Sequence, residues 1–291
     1  MSFGYLLNLA VNGAIEGSII ALGALALTLV FGIARFPNAS AGDVITVGAY
    51  AGYGGQLASG GLMAAGVVSG MVGAAAISLA FYWFVFRKLA GRSAVYPLIA
   101  SIGAAFLIRA AITFFLGHDQ RVYDVPLTRA VAFGPVRVVP TDLYLAAGAL
   151  AALAVVFALL HMTPLGRRMR AVADNPDLAR AGGISARRVM TAMWLIAGAV
   201  SGLAGVLLGV KTVVMPEMGW DLLLPAFAAT ILGTIGNPVG AVVGGLLIGI
   251  AQELSTPFVG FTYKIGVGFL VLLLVLLVRP QGLFSGAERV R

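Results

Sequence analysis

The sequence predicts an all-α fold: a polytopic transmembrane bundle of about eight or nine spans, rich in glycine and with some broken or re-entrant helices. Apolar residues make up 60% of the chain and charged residues only 10%, against about 45–50% and 25% in soluble domains. Uncharged runs of about 20 residues, long enough to cross a bilayer, follow one another along the chain. Glycines recur at helical spacing within these runs, which favours close helix packing in lipid. We treat residues 1–291 as one domain.

The uncharged runs give the predicted spans. The run 44–86 is long enough for two spans, with residues 55–61 as the turn between them. The run 222–252 is broken at 236–238, so it holds either two short spans or one span and a re-entrant segment. No basic segment precedes the first run, so we expect no cleavable signal peptide. The first span extends the uncharged run 18–34 backward past Glu16 to about residue 5, and the span 93–116 is interrupted by Arg109. The other spans are 44–86, 143–160, 189–210, 222–252 and about 262–278.

The basic residues predict an orientation, because the cytoplasmic segments of membrane proteins are enriched in Lys and Arg. With the C-terminus in the cytoplasm and nine spans, the N-terminus lies outside and most basic residues lie inside. This distribution explains the net charge of +8 without nucleic acid as a partner. The outside residues are Arg121, Arg129, Arg137, Lys211 and Lys264. The inside residues are Arg35, Arg87, Lys88, Arg92, Arg167, Arg168, Arg170, Arg180, Arg187, Arg188, Arg279, Arg289 and Arg291.

Two connecting segments are long enough to have structure of their own. The external loop, 117–141, has the composition of a cap or short hairpin, with a turn predicted at 133–136. The sequence of the cytoplasmic loop, 162–188, predicts two short helices. Thr163-Pro164 begins one that runs to about Ala173, and Asn175 caps another that runs from Pro176 to Ala181. Gly182-Gly183 ends this second helix. The whole loop is either a docking element for a soluble partner or an ordinary basic loop.

The composition argues against an enzyme. The chain has no cysteine and only two histidines, His118 and His161, so neither a thiolate site nor a histidine-rich metal cluster is available. No combination of a nucleophile and a base is visible. We therefore predict no catalytic residue, no metal site and no cofactor bound by this chain.

The cytoplasmic loop carries a family resemblance. Its sequence from Thr163 to Ile184, TPLGRRMRAVADNPDLARAGGI, resembles the corresponding loop of the branched-chain amino-acid ABC transporter permeases of the LivH/LivM type. The chain departs from that family at two positions: Ala41 stands where a histidine is common, and Pro225 where a lysine is common. The resemblance continues, in the same order along the chain, through 17–32, 38–50, 97–103, 201–209, 216–219 and 232–249.

The resemblance implies the permease subunit of an ABC importer in the bacterial inner membrane. Such a subunit moves branched-chain amino acids, or a related amino acid, amide, urea or aromatic acid, by alternating access. It implies as partners a second permease subunit, in a heterodimer or homodimer, two cytoplasmic ATPases that bind ATP and magnesium, and an external solute-binding protein. This chain has no P-loop motif, so ATP must be bound by those partners. The residues matching the ATPase-coupling helix and its flanks are Ala171, Asp174, Asn175, Pro176, Leu178, Ala179, Gly183 and Ile184.

Polar residues in or near the spans are the candidates for a pathway, because charges in a membrane are costly and usually face water or a partner group. Glu16 and Arg109 could pair with each other, although snorkelling near an interface is the alternative. The break at 38–42 predicts a discontinuous helix, with Asp43 at a helix N-terminus. An ion- or proton-coupled transporter that uses Glu16 or Glu253 is the alternative function. The candidates are Asn12, Glu16, Asn38, Arg109 and Glu253.

Overall fold

The computed structural model describes residues 3–126, 128–133, 136–261, 263–279 and 281–284. This part of the chain forms eleven α-helices, one short 3-10 helix at Phe86–Leu89, and one two-stranded hairpin. The strands are β1 (Val131–Phe133) and β2 (Val136–Val138). The helices are α1 (Phe3–Ala34), α2 (Ala41–Ala58), α3 (Met63–Phe84), α4 (Val95–Leu116), α5 (Pro140–Met162), α6 (Pro164–Asp174), α7 (Pro176–Ala181), α8 (Ala186–Lys211), α9 (Met218–Leu232), α10 (Pro238–Val259) and α11 (Lys264–Val278).

The predicted all-α bundle is confirmed, but the predicted count of eight or nine spans is not. Within the described residues, six helices are long and apolar enough to cross a membrane: α1, α3, α4, α5, α8 and α10. Helices α9 and α11 have 15 residues each, about 22 Å at 1.5 Å per residue, which is shorter than the roughly 30 Å hydrocarbon layer. The run 222–252 belongs to two separate helices, α9 and α10, with a connection at 233–237.

The turn predicted at 55–61 lies slightly later in the structure. Helix α2 continues to Ala58, and the connection to α3 includes Gly60 and Gly61, both with positive φ. Gly54 and Gly55 are both helical, and Gly55 packs against Ser69 of α3, where packing overrides the low helix propensity of glycine.

The bundle has two distinct ends. At one end, which we call the loop end, α6 and α7 lie beside the end of α1, where the Arg35 guanidinium donates to the Ala173 carbonyl. At the other, the hairpin end, the Asn8 side chain near the start of α1 donates to the Arg137 carbonyl at 3.1 Å. Gly134 and Pro135 of the predicted turn lie outside the described residues, as do Arg289 and Arg291 of the tail. The strands pair antiparallel on either side of that turn.

The core of the bundle is built around α1 and α8. The apolar 18-residue stretches of these two helices are 78% and 72% buried, whereas those of the other candidate spans are 22–39% buried. Helix α1 packs on α10 through small residues. Gly249 and Gly245 of α10 lie against the backbone of Gly17 and Ala21. Such contacts let two helix backbones approach closely without a bulky side chain between them.

Candidate functional site

Two helix breaks meet inside the bundle. Residues 35–40 separate α1 from α2, so the break predicted at 38–42 lies slightly earlier in the chain, and residues 212–217 separate α8 from α9. The starts of α2 and α9 lie side by side: a Cβ on Gly219 would collide with the Gly42 carbonyl oxygen. The Gly219 amide donates to the Thr46 hydroxyl at 3.1 Å. The sequence placed this second break at 211–221, between two predicted spans, and α9 begins four residues earlier than expected.

An ion pair fixes the start of α2 to the middle of α4. Arg109 donates to both carboxylate oxygens of Asp43, at 3.1 and 3.3 Å. The Asp43 side chain is buried, whereas that of Arg109 is 22% exposed. Asp43 lies in the first turn of α2, as predicted, where the helix dipole also favours its negative charge. The predicted pairing of Arg109 with Glu16 is wrong, because the two residues belong to different charged centres.

Exposed polar groups surround this ion pair. The Arg109 guanidinium lies 5.1 Å from the centroid of the Trp220 ring, in the range of a cation–π contact. Glu217 and Asp221, beside Trp220 at the start of α9, are both exposed. We call Arg109, Glu217, Trp220 and Asp221 the polar face. Exposed charges level with the middle of α4 are too costly to face hydrocarbon, so this face must meet water or protein.

Asn38 and Asn12 have local roles. Asn38 is buried, and its Oδ1 accepts from the Ser40 amide at 3.2 Å and from the Ser40 hydroxyl at 2.7 Å. These two bonds shape the chain just before α2 begins. Asn12 lies near the hairpin end and donates to Asn8 Oδ1 at 3.1 Å. The structure therefore brings Asn38 near the Asp43–Arg109 pair but leaves Asn12 apart from it.

Glu16 and Glu253 form a second charged centre around a lysine that the sequence did not single out. Lys264, at the start of α11, donates to Glu16 and to Glu253, each at 2.9 Å. We call these three residues the ion triad. They join α1, α10 and α11, and their side chains are 10–23% exposed. Two carboxylates within spans need a cation nearby; that requirement was the sequence feature that could have identified Lys264.

At the loop end, the two predicted helices are confirmed, with α6 one residue longer than expected. The Asn175 side chain accepts from the amides of Asp177 and Leu178, both at 3.0 Å. Thr163 caps α6 through Gly166, and Gly183, at φ +78°, ends the α7 segment. These caps are the local features that residue types alone can predict.

The eight predicted coupling residues differ in their exposure. Leu178 is 71% exposed, whereas Ala179 is buried. Ala171 and Ile184 are half-buried. The exposed members of the set are Asp174, Asn175, Pro176, Leu178 and Gly183. Helix α7 therefore presents one large apolar side chain at its surface.

A family model described as the branched-chain amino acid transport system, permease component, matches residues 9–278. The chain belongs to this permease family. It is similar to the high-affinity branched-chain amino acid permease LivH of Escherichia coli K12, at 32% identity over 98% of this chain and 97% of that protein. It is also similar to BraD of Pseudomonas aeruginosa, at 31% identity over 96% and 95%. The ribose import permease RbsC of Bacillus subtilis is 34% identical over 45% of this chain and 43% of that one.

Membership of this family makes the chain a multi-pass membrane permease. Its two departures from the family pattern lie on the two helices that start at the breaks. Ala41 is the first residue of α2 and is buried. Pro225 lies inside α9 and is buried; since proline has no amide hydrogen, the Asp221 carbonyl four residues earlier has no helical donor. Pro225 therefore bears on Asp221, a residue of the polar face.

Proposed function

We propose that this chain is the membrane-spanning permease subunit of an ABC importer, which moves branched-chain amino acids or a related small solute by alternating access. Its partners are a second permease subunit, two cytoplasmic ATPases that bind ATP and magnesium, and an external solute-binding protein. The loop end faces the cytoplasm and the N-terminus lies outside. The observation that carries the proposal is α7, a capped helix with an exposed leucine, at the arginine-rich end of a chain in this permease family.

The arrangement of α7 suits a docking element. Asn175 makes two capping bonds, and the Ile184 amide donates back to the Ala179 carbonyl at 2.9 Å. A helix of only six residues would be marginal without such restraints. An exposed apolar side chain on a rigid element is a typical anchor for a partner protein. Leu178 is therefore the residue that we expect to insert into the ATPase.

Helix α6 links this docking element to the bundle. Its buried side chains, Met169 and Val172, belong to the hydrophobic core. Arg170 donates to the Leu160 carbonyl of α5 at 2.7 Å, and Arg35, just after α1, donates to the Ala173 carbonyl. A displacement of α7 by the ATPases would therefore pull on both α1 and α5. This path transmits ATP-driven motion to the break between α1 and α2.

The cargo path runs along the polar face. A zwitterionic amino acid needs a cation for its carboxylate and an anion for its ammonium group, and Arg109 and Asp221 supply groups of both signs. The second permease subunit would cover this face, which accounts for exposed charges level with the middle of α4. The partial similarity to a ribose permease supports a cargo range in this fold that extends beyond amino acids.

Removal of the α7 cap tests the proposal. We expect Asn175→Ala to abolish most ATP-dependent uptake, because the cap typically contributes about 1 kcal/mol to a short helix, while membrane insertion stays normal. Asn175→Ser keeps a capping oxygen and should retain uptake. Uptake and ATP hydrolysis are measured in vesicles, together with the composition of the purified complex. A complex without an ATPase, with uptake that persists without ATP, would overturn the proposal.

A further inference from the structure

A cavity of about 750 Å³ lies at the loop end, within the size range of small-molecule sites. It is enclosed by the end of α1, the 3-10 helix and the start of α4 on one side, and by α6, α7 and the start of α8 on the other. We propose that this cavity binds the phosphate headgroup of an anionic phospholipid. This binding site is separate from the polar face and adjoins α7 at Pro176.

Most of the charged side chains that line the cavity are positive. Its lining includes one carboxylate, that of Asp174, and four guanidinium groups, those of Arg35, Arg87, Arg92 and Arg187. Of these, Arg35 is already bonded to the Ala173 carbonyl. Clusters of arginine recognise phosphate because each guanidinium can donate two parallel hydrogen bonds to its oxygens.

Two of these arginines converge on a single aromatic ring. The guanidinium carbons of Arg87 and Arg187 lie 4.9 and 4.6 Å from the centroid of Trp83. Neither arginine forms an ion pair within the part of the chain that the structure describes. An anion near both guanidinium groups would compensate two positive charges that have no carboxylate partner there.

A second observation points to a ligand oxygen. Trp194 lines the cavity and is only 2% exposed, and its Nε1 has no hydrogen-bond partner among the residues that the structure describes. Buried donors without a partner are rare in folded proteins, and each one calls for an explanation. A phosphate or glycerol oxygen that displaces the cavity wall around this nitrogen is an acceptor that would satisfy the donor.

The apolar surroundings favour a lipid over a free phosphate ion. Aromatic side chains of Phe36, Tyr82 and Phe86 form part of the wall. Trp83 and Phe84, at the adjoining end of α3, are 38% and 73% exposed, as expected for side chains at a membrane interface. Basic pockets between transmembrane helices are known to suit anionic headgroups, and acyl chains would continue along the exposed surface of α3.

The same cavity contacts the docking loop. Val172, Asp174 and Pro176 form one wall, so a bound headgroup would join the loop to the rest of the bundle. If the proposed function holds, anionic lipid would stabilise the α6–α7 segment in the position that the ATPases engage. The binding itself does not depend on transport.

Native mass spectrometry of the full chain tests the site, with phosphatidylglycerol or phosphatidylcholine supplied in detergent. We expect the wild-type chain to retain one phosphatidylglycerol more tightly than phosphatidylcholine. The double variant Arg87→Gln/Arg187→Gln should bind phosphatidylglycerol at least tenfold more weakly. The matched control, Arg168→Gln/Arg188→Gln, removes the same charge from exposed loop positions that do not line the cavity, and it should behave as the wild type.

Three results would overturn the proposal: equal weakening in both double variants, equal retention of the two lipids, or displacement of the lipid by inorganic phosphate at millimolar concentration. The last result would make the cavity a site for the free ion. If the double variant fails to fold, quenching of wild-type tryptophan fluorescence by brominated phosphatidylglycerol replaces it. Stronger quenching than by brominated phosphatidylcholine supports the site, and equal quenching contradicts it.

Discussion

The two charged centres inside the bundle differ in how completely their groups are paired. In the ion triad, one ammonium group is shared by two carboxylates on α1 and α10, and the three side chains are 10–23% exposed. In the Asp43–Arg109 pair, the carboxylate is buried but the guanidinium is 22% exposed and touches Trp220. The triad uses its charges to hold three helices together, whereas the pair leaves part of its cation open towards the polar face.

This difference separates a structural role from a transport role. Glu16 and Glu253 were candidates for a pathway or for proton coupling, yet both accept hydrogen bonds from Lys264. Arg109 keeps donor groups that Asp43 does not occupy. We therefore expect substitutions in the triad to act mainly on stability and substitutions in the pair to act mainly on uptake.

The largest expected effect is that of Lys264→Met on folding. The substitution leaves Glu16 and Glu253 close together without their cation, and breaking a buried ion pair costs about 3–5 kcal/mol. We expect a large loss of folded protein, measured by the yield and the thermal unfolding temperature in detergent. The triple variant Glu16→Gln/Lys264→Met/Glu253→Gln carries no charge at this site and should recover most of that loss. Wild-type stability in Lys264→Met would contradict the structural role of the triad.

A smaller effect on stability, but a larger one on uptake, is expected for Arg109→Gln. Asp43 then loses one partner but keeps its favourable position in the first turn of α2, so the cost is about 1–3 kcal/mol. Transport should fall at least about tenfold, because the cation of the polar face is gone.

Uptake must be measured per amount of folded protein in the membrane, with Arg109→Lys as the control. The lysine keeps the charge but not the two parallel hydrogen bonds, so it should show intermediate uptake. If uptake by Arg109→Gln falls only in proportion to the folded protein, the polar face is not the cargo path and the pair is structural.

The loop end shows which features the sequence can predict. Both α6 and α7 were predicted almost to the residue, because Thr163, Asn175 and Gly183 act on amides and carbonyls within a few residues of themselves. The predicted break before α2 was also local, since the chain around Asn38 and Ser40 is shaped by neighbouring bonds.

The charged centres show what the sequence could not predict. Arg109 and Asp43 are 66 residues apart, and Lys264 and Glu16 are 248 residues apart. Which charges meet depends on which helices are neighbours, and that is set by the close approach of small residues such as Gly42 and Gly219 rather than by any local pattern. For the same reason the sequence offered Arg109 as a partner for Glu16 and overlooked Lys264.

The smallest expected effect concerns Tyr123, an uncharged residue that bonds to α2, the helix to which Arg109 is also bonded. Tyr123, in the segment after α4, donates its hydroxyl to the Ala49 carbonyl of α2 at 2.7 Å and is buried. Burial raises the pKa of Tyr123 above its ordinary value of about 10, so the phenol keeps its proton and its hydrogen bond. Tyr123→Phe should lower the free energy of unfolding by about 1 kcal/mol at neutral pH.

The pH dependence gives this prediction a second test. A tyrosine whose pKa is raised by folding contributes its full stability below about pH 10, and this contribution decreases as pH rises above the pKa of the unfolded chain. Unfolding temperatures of the wild-type chain should therefore fall more steeply above pH 10 than those of Tyr123→Phe. Tyr144→Phe, at a 77% exposed position of α5, is the control and should keep the wild-type slope. Equal slopes in all three proteins would mean that Tyr123 does not hold α2 through its proton, leaving the ion pair with Arg109 as the main polar anchor of that helix.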